Sequence, residues 1–151
     1  MADETAKVAP AATMGSTLGF VEVLEIDAEA GRARIAYEAR MDHCHSGGVV
    51  QGGFVSGWID GAMAHACIAR NGRGTVPMTL ELKISYFGPT RPGRVIAEAW
   101  VEKHGKRLSF YEGRILNEAG DVLAKGTSTI MIADAARVQA AARAATGQDE
   151  G

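Results

Sequence analysis

The sequence is poor in the features that mark specialised classes of protein. It has only two cysteines, Cys44 and Cys67, which excludes a disulfide framework and makes a reducing cytoplasm the expected location. The net charge is −2, so the basic stripe of a dedicated nucleic-acid binder is missing. No unbroken apolar run is long enough for a membrane span, and the first residues lack the apolar segment of a signal peptide. We therefore expect an ordinary globular domain without membrane or nucleic-acid partners.

A long segment of small and apolar residues, from Gly53 to Arg70, is the most distinctive part of the chain. It contains no proline and is too long for a typical strand, so it predicts a helix. Apolar residues lie on all sides of this helix, which is typical of a helix enclosed by protein. Asp60 is its only acidic residue, and a carboxylate in such a place is costly unless it is hydrogen-bonded or works in a cleft. We interpret Asp60 as a functional residue.

Six segments with apolar-rich or alternating patterns predict antiparallel strands, two before the helix and four after it. They are residues 19–26, 32–40, 79–87, 95–102, 107–116 and 122–132. The first two should pair as a hairpin, and residues 41–51 form the loop that leads into the helix. In the third strand, Leu80, Leu82, Ile84 and Tyr86 are expected to share one face.

The pattern indicates one domain at residues 15–134, between a flexible tail at 1–14 and an alanine-rich tail at 135–151. The second tail has helical composition but little apolar surface with which to dock. One enclosed helix beside one antiparallel sheet implies an α+β fold in which the sheet curls around the helix. The free edges of such a sheet are expected to need a partner subunit.

Three motifs in register carry a family resemblance. Gly48, Gly52, Gly53 and Asp60 fit the pattern Asn-x-x-Gly-x-x-His-Gly-Gly followed, nine residues after its His, by an acid. The strand pattern Thr-x-x-Leu-x-Ile-x-Tyr-x-x-Pro is matched by Thr79, Leu82, Ile84, Tyr86 and Pro89, and a closing motif by Gly120, Ala124, Thr127 and Thr129. Over residues 16–134 the chain resembles the hotdog-fold acyl-CoA thioesterases, specifically their PaaI-type (phenylacetate-pathway) branch.

The resemblance implies a hotdog fold, with one long central helix wrapped by a curved antiparallel sheet of about five to six strands. It also implies hydrolysis of an aryl or medium-chain acyl-CoA without a cofactor. Asp60 would act as base or nucleophile, the Gly52 N–H would polarise the carbonyl, and Thr79 would hold the water or the carboxylate. In relatives the acid of one subunit meets the glycine turn of the other, so a homodimer is implied, with pairs of dimers as a homotetramer.

Two positions depart from the family pattern: His45 replaces its Asn, and Gln51 replaces its His. A glutamine amide still donates a hydrogen bond, so Gln51 and His45 stay candidate catalytic residues. For substrate and CoA binding, the candidates are a set of residues near the helix start and a set of basic residues in turns. They are Gly53, Phe54, Trp58, Arg91, Lys103, Lys106 and Arg107.

Other interpretations stay open at this point. The neighbouring His43, Cys44 and His45 suggest a metal site or a Cys–His nucleophile pair, although His65 and Cys67 are the only further ligands available. Trp58 is also a candidate for the core or a dimer contact. The chain is alternatively a hotdog hydratase or dehydratase, against which Gln51 counts, or a non-catalytic acyl-CoA-binding module, against which Asp60 counts.

Overall fold

The computed structural model describes residues 13–147 and contains three helices and eight strands in that range. The helices are α1 (Met14–Leu18), α2 (Gly52–Asn71) and α3 (Ala135–Thr146). The strands are β1 (Phe20–Asp27), β2 (Arg32–Ala39), β3 (Cys44–His45), β4 (Val49–Val50), β5 (Thr75–Tyr86), β6 (Gly93–Lys103), β7 (Leu108–Leu116) and β8 (Val122–Asp134). The predicted central helix and all six predicted strands are confirmed, whereas the short β3–β4 ladder in the loop was not predicted.

Six strands form one antiparallel sheet in the order β1-β2-β6-β7-β8-β5. The helix α2 packs on one face of this sheet and contacts every one of its strands. A single enclosed helix in a curved antiparallel sheet is the hotdog fold, which confirms the predicted fold class. The edges of the sheet are β1 and β5.

Two glycines allow α2 to lie close to the middle of the sheet. A Cβ at Gly113 would come within 2.9 Å of the Ile59 side chain and 2.9 Å of the Glu98 carbonyl oxygen. A Cβ at Gly126 would lie 3.4 Å from the same Ile59 side chain. Ile59 is fully buried at this contact, so the seat made by Gly113 and Gly126 determines how deep the middle of α2 sits.

The edge strand β5 contains a β-bulge. Thr79 lies opposite Ile130 and Glu81 opposite Thr129, so Leu80 is an extra residue without a partner on β8. Its side chain is 57% exposed. The prediction that Leu80 shares one face with Leu82, Ile84 and Tyr86 is therefore wrong, because the bulge shifts the alternation by one residue.

Near its beginning, β5 also contains Pro77. This residue lies opposite Ile132, whose own N–H donates to the Arg107 carbonyl oxygen on the β7 side. The Pro77–Ile132 pair therefore exchanges no hydrogen bonds, and the nitrogen of Pro77 faces the free edge of the sheet. Proline is tolerated in such a place because no ladder partner needs its missing donor.

Both edge strands present large apolar side chains to solvent. They are Phe20, Val21, Val23, Leu24 and Ile26 on β1, and Met78, Leu80 and Tyr86 on β5, followed by Phe87. Long edges of this kind are templates for pairing with another chain unless they are covered.

The ends of the described range carry one short and one exposed helix. The side chain of Thr13 accepts the Ser16 N–H and so begins α1, so Thr13 and Met14 belong to the folded part. The rest of the tail predicted for 1–14 lies outside the described residues. Residues 135–146 of the alanine-rich tail form α3, which has no buried residue. None of the helices described here could span a membrane.

Replacing Gly113 by Ala tests the seat of α2. We expect it to lower the free energy of unfolding by about 1–3 kcal/mol, the usual cost of an overpacked core, because the new methyl group meets a backbone oxygen. Urea unfolding should show a lower midpoint with an unchanged m value. Gly74→Ala is the control, because no heavy atom lies within 4 Å of its Cβ position. Equal stability of the two variants would contradict the seat.

Candidate active site

The first turn of α2 leaves one backbone donor unused. Gln51 is the N-cap, and its Oε1 accepts the Gly53 N–H at 2.7 Å. The Phe54 N–H donates to the Gln51 carbonyl oxygen at 3.0 Å. The Gly52 N–H has no acceptor among residues 13–147. Since the N-terminus of a helix carries partial positive charge, Gly52 offers an open donor for a developing negative charge.

The capping bond also fixes the orientation of the Gln51 side chain. A backbone N–H can only be accepted by the oxygen of the amide, so Oε1 faces Gly53 and Nε2 faces away from it. The side chain is exposed, so its NH₂ group is available as a second donor beside Gly52. Gly53 permits this arrangement, because a Cβ there would lie only 2.6 Å from Oε1.

Beside this helix start lies a cavity of about 370 Å³. It is lined by His45, Val49, Val50, Gly52, Val55, Tyr86, Phe87, Gly88, Pro89 and Thr90. The Tyr86 hydroxyl donates to the Gly52 carbonyl oxygen at 2.6 Å. The Nδ1–H of His45 donates to the Ser46 carbonyl oxygen at 3.1 Å. Most side chains in this lining are apolar, and the polar ones are those of His45, Tyr86 and Thr90.

Asp60 and Thr79 form a second polar group further along α2. The Thr79 hydroxyl donates to Asp60 Oδ1 at 2.8 Å. Thr79 reaches Asp60 because of the bulge at Leu80, since uninterrupted alternation back from the half-buried Leu82 would aim Thr79 at the opposite face of the sheet. The carboxylate is half-buried, and its second oxygen has no hydrogen-bond partner among residues 13–147.

Tyr37 lies on the other side of this part of the helix. Its hydroxyl is 2.7 Å from the Cβ position of Gly61, so that glycine makes room for it. Burial and, secondarily, the negative charge of Asp60 raise the pKa of Tyr37 to about 12. The phenol is therefore neutral at physiological pH.

One chain holds these two groups apart. Asp60 lies eight residues after Gly52, which corresponds to about 12 Å along the helix axis. A single thioester carbonyl cannot contact both. The acid and the open amide are therefore two separate candidate half-sites.

Comparison with known proteins identifies the family. The model of the thioesterase superfamily matches residues 47–124, which include Gly52, all of α2 and the strands β5, β6 and β7. The chain belongs to the thioesterase superfamily. Thioester hydrolysis is thus its general chemistry. No curated protein sequence matches it significantly.

Solved structures place this thioesterase in the PaaI-type branch. A phenylacetic acid degradation-related protein of Ralstonia eutropha is 29% identical, with a TM-score of 0.74 over 82% of this chain and 92% of that chain. A point mutant of the phenylacetic acid degradation protein PaaI from Thermus thermophilus is 30% identical, with a TM-score of 0.68 over 78% and 96% of the two chains. The PaaI protein of E. coli, 21% identical with a TM-score of 0.70 over 78% and 81%, shares the fold.

Among the predicted substrate-binding residues of this thioesterase, Trp58 is corrected. Its side chain is 0% exposed, and its indole N–H donates to the Leu18 carbonyl oxygen at 2.7 Å. Trp58 faces the β2 side of α2 and is therefore a core residue. This was the alternative interpretation of Trp58. Phe54 is half-buried with its ring against His43, 4.5 Å between centroids, and Gly53 is exposed at the helix start.

The four predicted basic residues lie in two places. The Arg91 guanidinium donates to the Gly47 carbonyl oxygen at 3.2 Å, so it lies next to the glycine turn. Lys103, Lys106 and Arg107 lie at or beyond the other end of β6, which is about 30 Å long. Within one chain the structure therefore brings only Arg91 to the Gly52 half-site.

The His43–Cys44–His45 cluster is occupied by structural contacts. His43 Nδ1 accepts the Arg40 N–H at 3.0 Å, and its Nε2–H donates to the Thr17 carbonyl oxygen at 2.7 Å. The Cys44 thiol donates to the Arg40 carbonyl oxygen at 3.4 Å. Among residues 13–147, no group of three His, Cys, Asp or Glu residues is arranged to hold a metal ion.

Replacing Gly53 by Ala tests the orientation of Gln51. In most helices this change stabilises by up to about 1 kcal/mol, but here the new methyl group must displace the Gln51 amide. We expect little or no stabilisation in the wild-type background and the normal gain in the Gln51→Ala background. Urea unfolding of the four proteins measures both effects. Additive changes would show that Gln51 does not occupy the capping position.

Proposed function

We propose that the protein hydrolyses acyl-CoA thioesters at a site that combines Asp60 of one subunit with the Gly52 turn of another. The observation that carries this proposal is the pairing of an Asp60 carboxylate, held by Thr79, with an unused N–H at the start of the same helix. Hydrolysis of a thioester needs both an activated oxygen nucleophile and a donor for the oxyanion.

In this proposal the thioester carbonyl oxygen accepts the Gly52 N–H and the Gln51 NH₂. Acting as a base, Asp60 takes a proton from water as the water oxygen bonds to the carbonyl carbon. The tetrahedral intermediate then breaks its C–S bond, and the CoA thiolate takes up a proton. Acting as a nucleophile, Asp60 itself bonds to the carbon, releases the thiolate and leaves an anhydride that water hydrolyses. Both routes use the same two donors.

A second copy of the chain is the partner that completes the site. The two half-sites lie too far apart on one helix, and the edge strand β5 carries both Thr79 and Tyr86 next to them. Exposed apolar residues on β5 support its burial against another subunit. We propose a homodimer formed along β5, and pairing of such dimers as the larger assembly.

The CoA moiety is assigned to the side of the site where Arg91 lies. Arg91 is next to the glycine turn of its own chain, and Lys103, Lys106 and Arg107 would serve only if a partner subunit brings them there. The apolar cavity beside Gly52 suits an aryl or medium-chain group. His45 lines it, in the place of the amide common in the family. The cytoplasm stays the expected location.

A panel of acyl-CoAs, with the released thiol trapped by a chromogenic reagent, tests the activity. Release of CoA supports the proposal. Hydration of an enoyl-CoA without thiol release would support a hydratase instead. Tight binding without turnover would support a binding module.

Comparing Gly52→Pro with Gly52→Ala distinguishes the effect of losing the N–H from the effect of adding a side chain. Proline is tolerated at the first position of a helix, and the extended backbone of Gln51 (φ −64°, ψ 136°) suits a following proline. Both variants add a Cβ, but only proline deletes the N–H. We expect Gly52→Pro to lose about 10²–10³ in kcat and Gly52→Ala to lose less. Equal losses in the thiol assay would rule out the backbone donor.

Mixing two inactive variants tests the shared site. Asp60→Asn should fold and lose about 10²–10⁴ in turnover. If it is refolded together with Gly52→Pro, each mixed dimer has one site with both wild-type groups, so random pairing restores about a quarter of wild-type activity. Each variant refolded alone is the control. If mixed dimers recover no activity, both groups of a site must belong to one chain.

A further inference from the structure

Tyr86 is the residue at the helix start to which no role has been given. It is the last residue of β5, and its hydroxyl donates to the Gly52 carbonyl oxygen at 2.6 Å. Its ring lies directly over Gly52, since a Cβ there would be 3.0 Å from the hydroxyl oxygen and 3.1 Å from Cζ. A side chain at position 52 would therefore collide with this ring, and glycine avoids the collision.

The hydrogen bond from Tyr86 continues through the backbone to Gln51. The Gly52 carbonyl and the Gly53 N–H belong to one peptide group, and that N–H donates to Gln51 Oε1 at 2.7 Å. Hydrogen bonds arranged in such a series polarise one another. The series runs from the Tyr86 hydroxyl through the peptide to the Gln51 amide, and it ends at the exposed NH₂ group.

We propose that Tyr86 is a positioning residue that orients the two donors for the thioester carbonyl. The proposal rests on the proposed function and deepens it. The hydroxyl of Tyr86 holds the 52–53 peptide, this peptide holds the Gln51 amide, and the Gly52 N–H and the Gln51 NH₂ remain directed outward. Tyr86 itself donates only to the backbone. The alternation of side chains along β5 directs Tyr86 towards Gly52. Tyr86 lies on the same face as Leu82 and Ile84, which pack against the core.

Tyr86→Phe removes the hydroxyl and keeps the ring in its seat. We expect kcat to fall about tenfold, with KM within about twofold, because the lost bond orients groups that act on the transition state. The matched control is Tyr111→Phe. The hydroxyl of Tyr111 is buried near Cys67 without a partner in hydrogen-bond geometry among the described residues, so its loss should leave kcat unchanged.

A double-mutant cycle with Gln51→Ala tests the series itself. If Tyr86 acts through the Gln51 amide, Tyr86→Phe should cost much less in the Gln51→Ala background than in the wild type. A purely structural tyrosine would give the same loss of kcat in both backgrounds. Independent effects, or wild-type kcat in Tyr86→Phe, would overturn the proposal while leaving the hydrolase intact.

Amide hydrogen exchange separates this proposal from the proposed function. By NMR, the Gly53 amide should exchange faster in Tyr86→Phe than in the wild type, and Tyr111→Phe should not change it. Faster exchange would support the positioning role even if the wild-type protein hydrolysed none of the acyl-CoAs. The lack of hydrolysis would then contradict the proposed function but not the positioning role of Tyr86. Unchanged exchange at Gly53 in Tyr86→Phe counts against the role of Tyr86.

Discussion

The contact between Ile59 and the two glycines beneath it is the constraint on which the candidate site depends. Gly113 and Gly126 let the helix approach the sheet at this point, and side chains there would push it outward. Asp60 follows Ile59 in the chain. The distance between Ile59 and the sheet therefore sets where the Asp60 carboxylate lies relative to Thr79. A catalytic carboxylate needs a position defined within a fraction of an ångström. Close packing of the helix against the sheet supplies that definition.

Much of the fold could be predicted from the sequence because its signals are local. The apolar run that became α2 and the alternation in the strands need only neighbouring residues to be interpreted. The bulge at Leu80 was not predictable in this way, because the pattern Leu80, Leu82, Ile84 is fully consistent with simple alternation. The bulge is visible only in the pairing with β8, which continues on both sides of Leu80. Its effect is to direct Thr79 towards Asp60.

The candidate site was predicted less completely than the fold. Motif spacing gave Asp60, Gly52 and Thr79 as candidates, but spacing contains no information about which side of a helix faces the core. Trp58 was therefore predicted to bind substrate although it is buried. Tyr86 belonged to a recognised motif without a role, because its hydrogen bond to Gly52 joins residues far apart in the chain. The orientation of Gln51 likewise depends on a capping hydrogen bond that could not be predicted from the sequence.

Pro77 has a consequence for how two copies of the sheet would join. Its nitrogen faces the free edge of β5 and carries no hydrogen, so a neighbouring strand finds no donor there. Pairing between copies across Pro77 would lack one main-chain hydrogen bond, which favours pairing in the half of β5 that holds Thr79 and Tyr86. Pro77 thus limits the registers in which the β5 strands of two copies could pair.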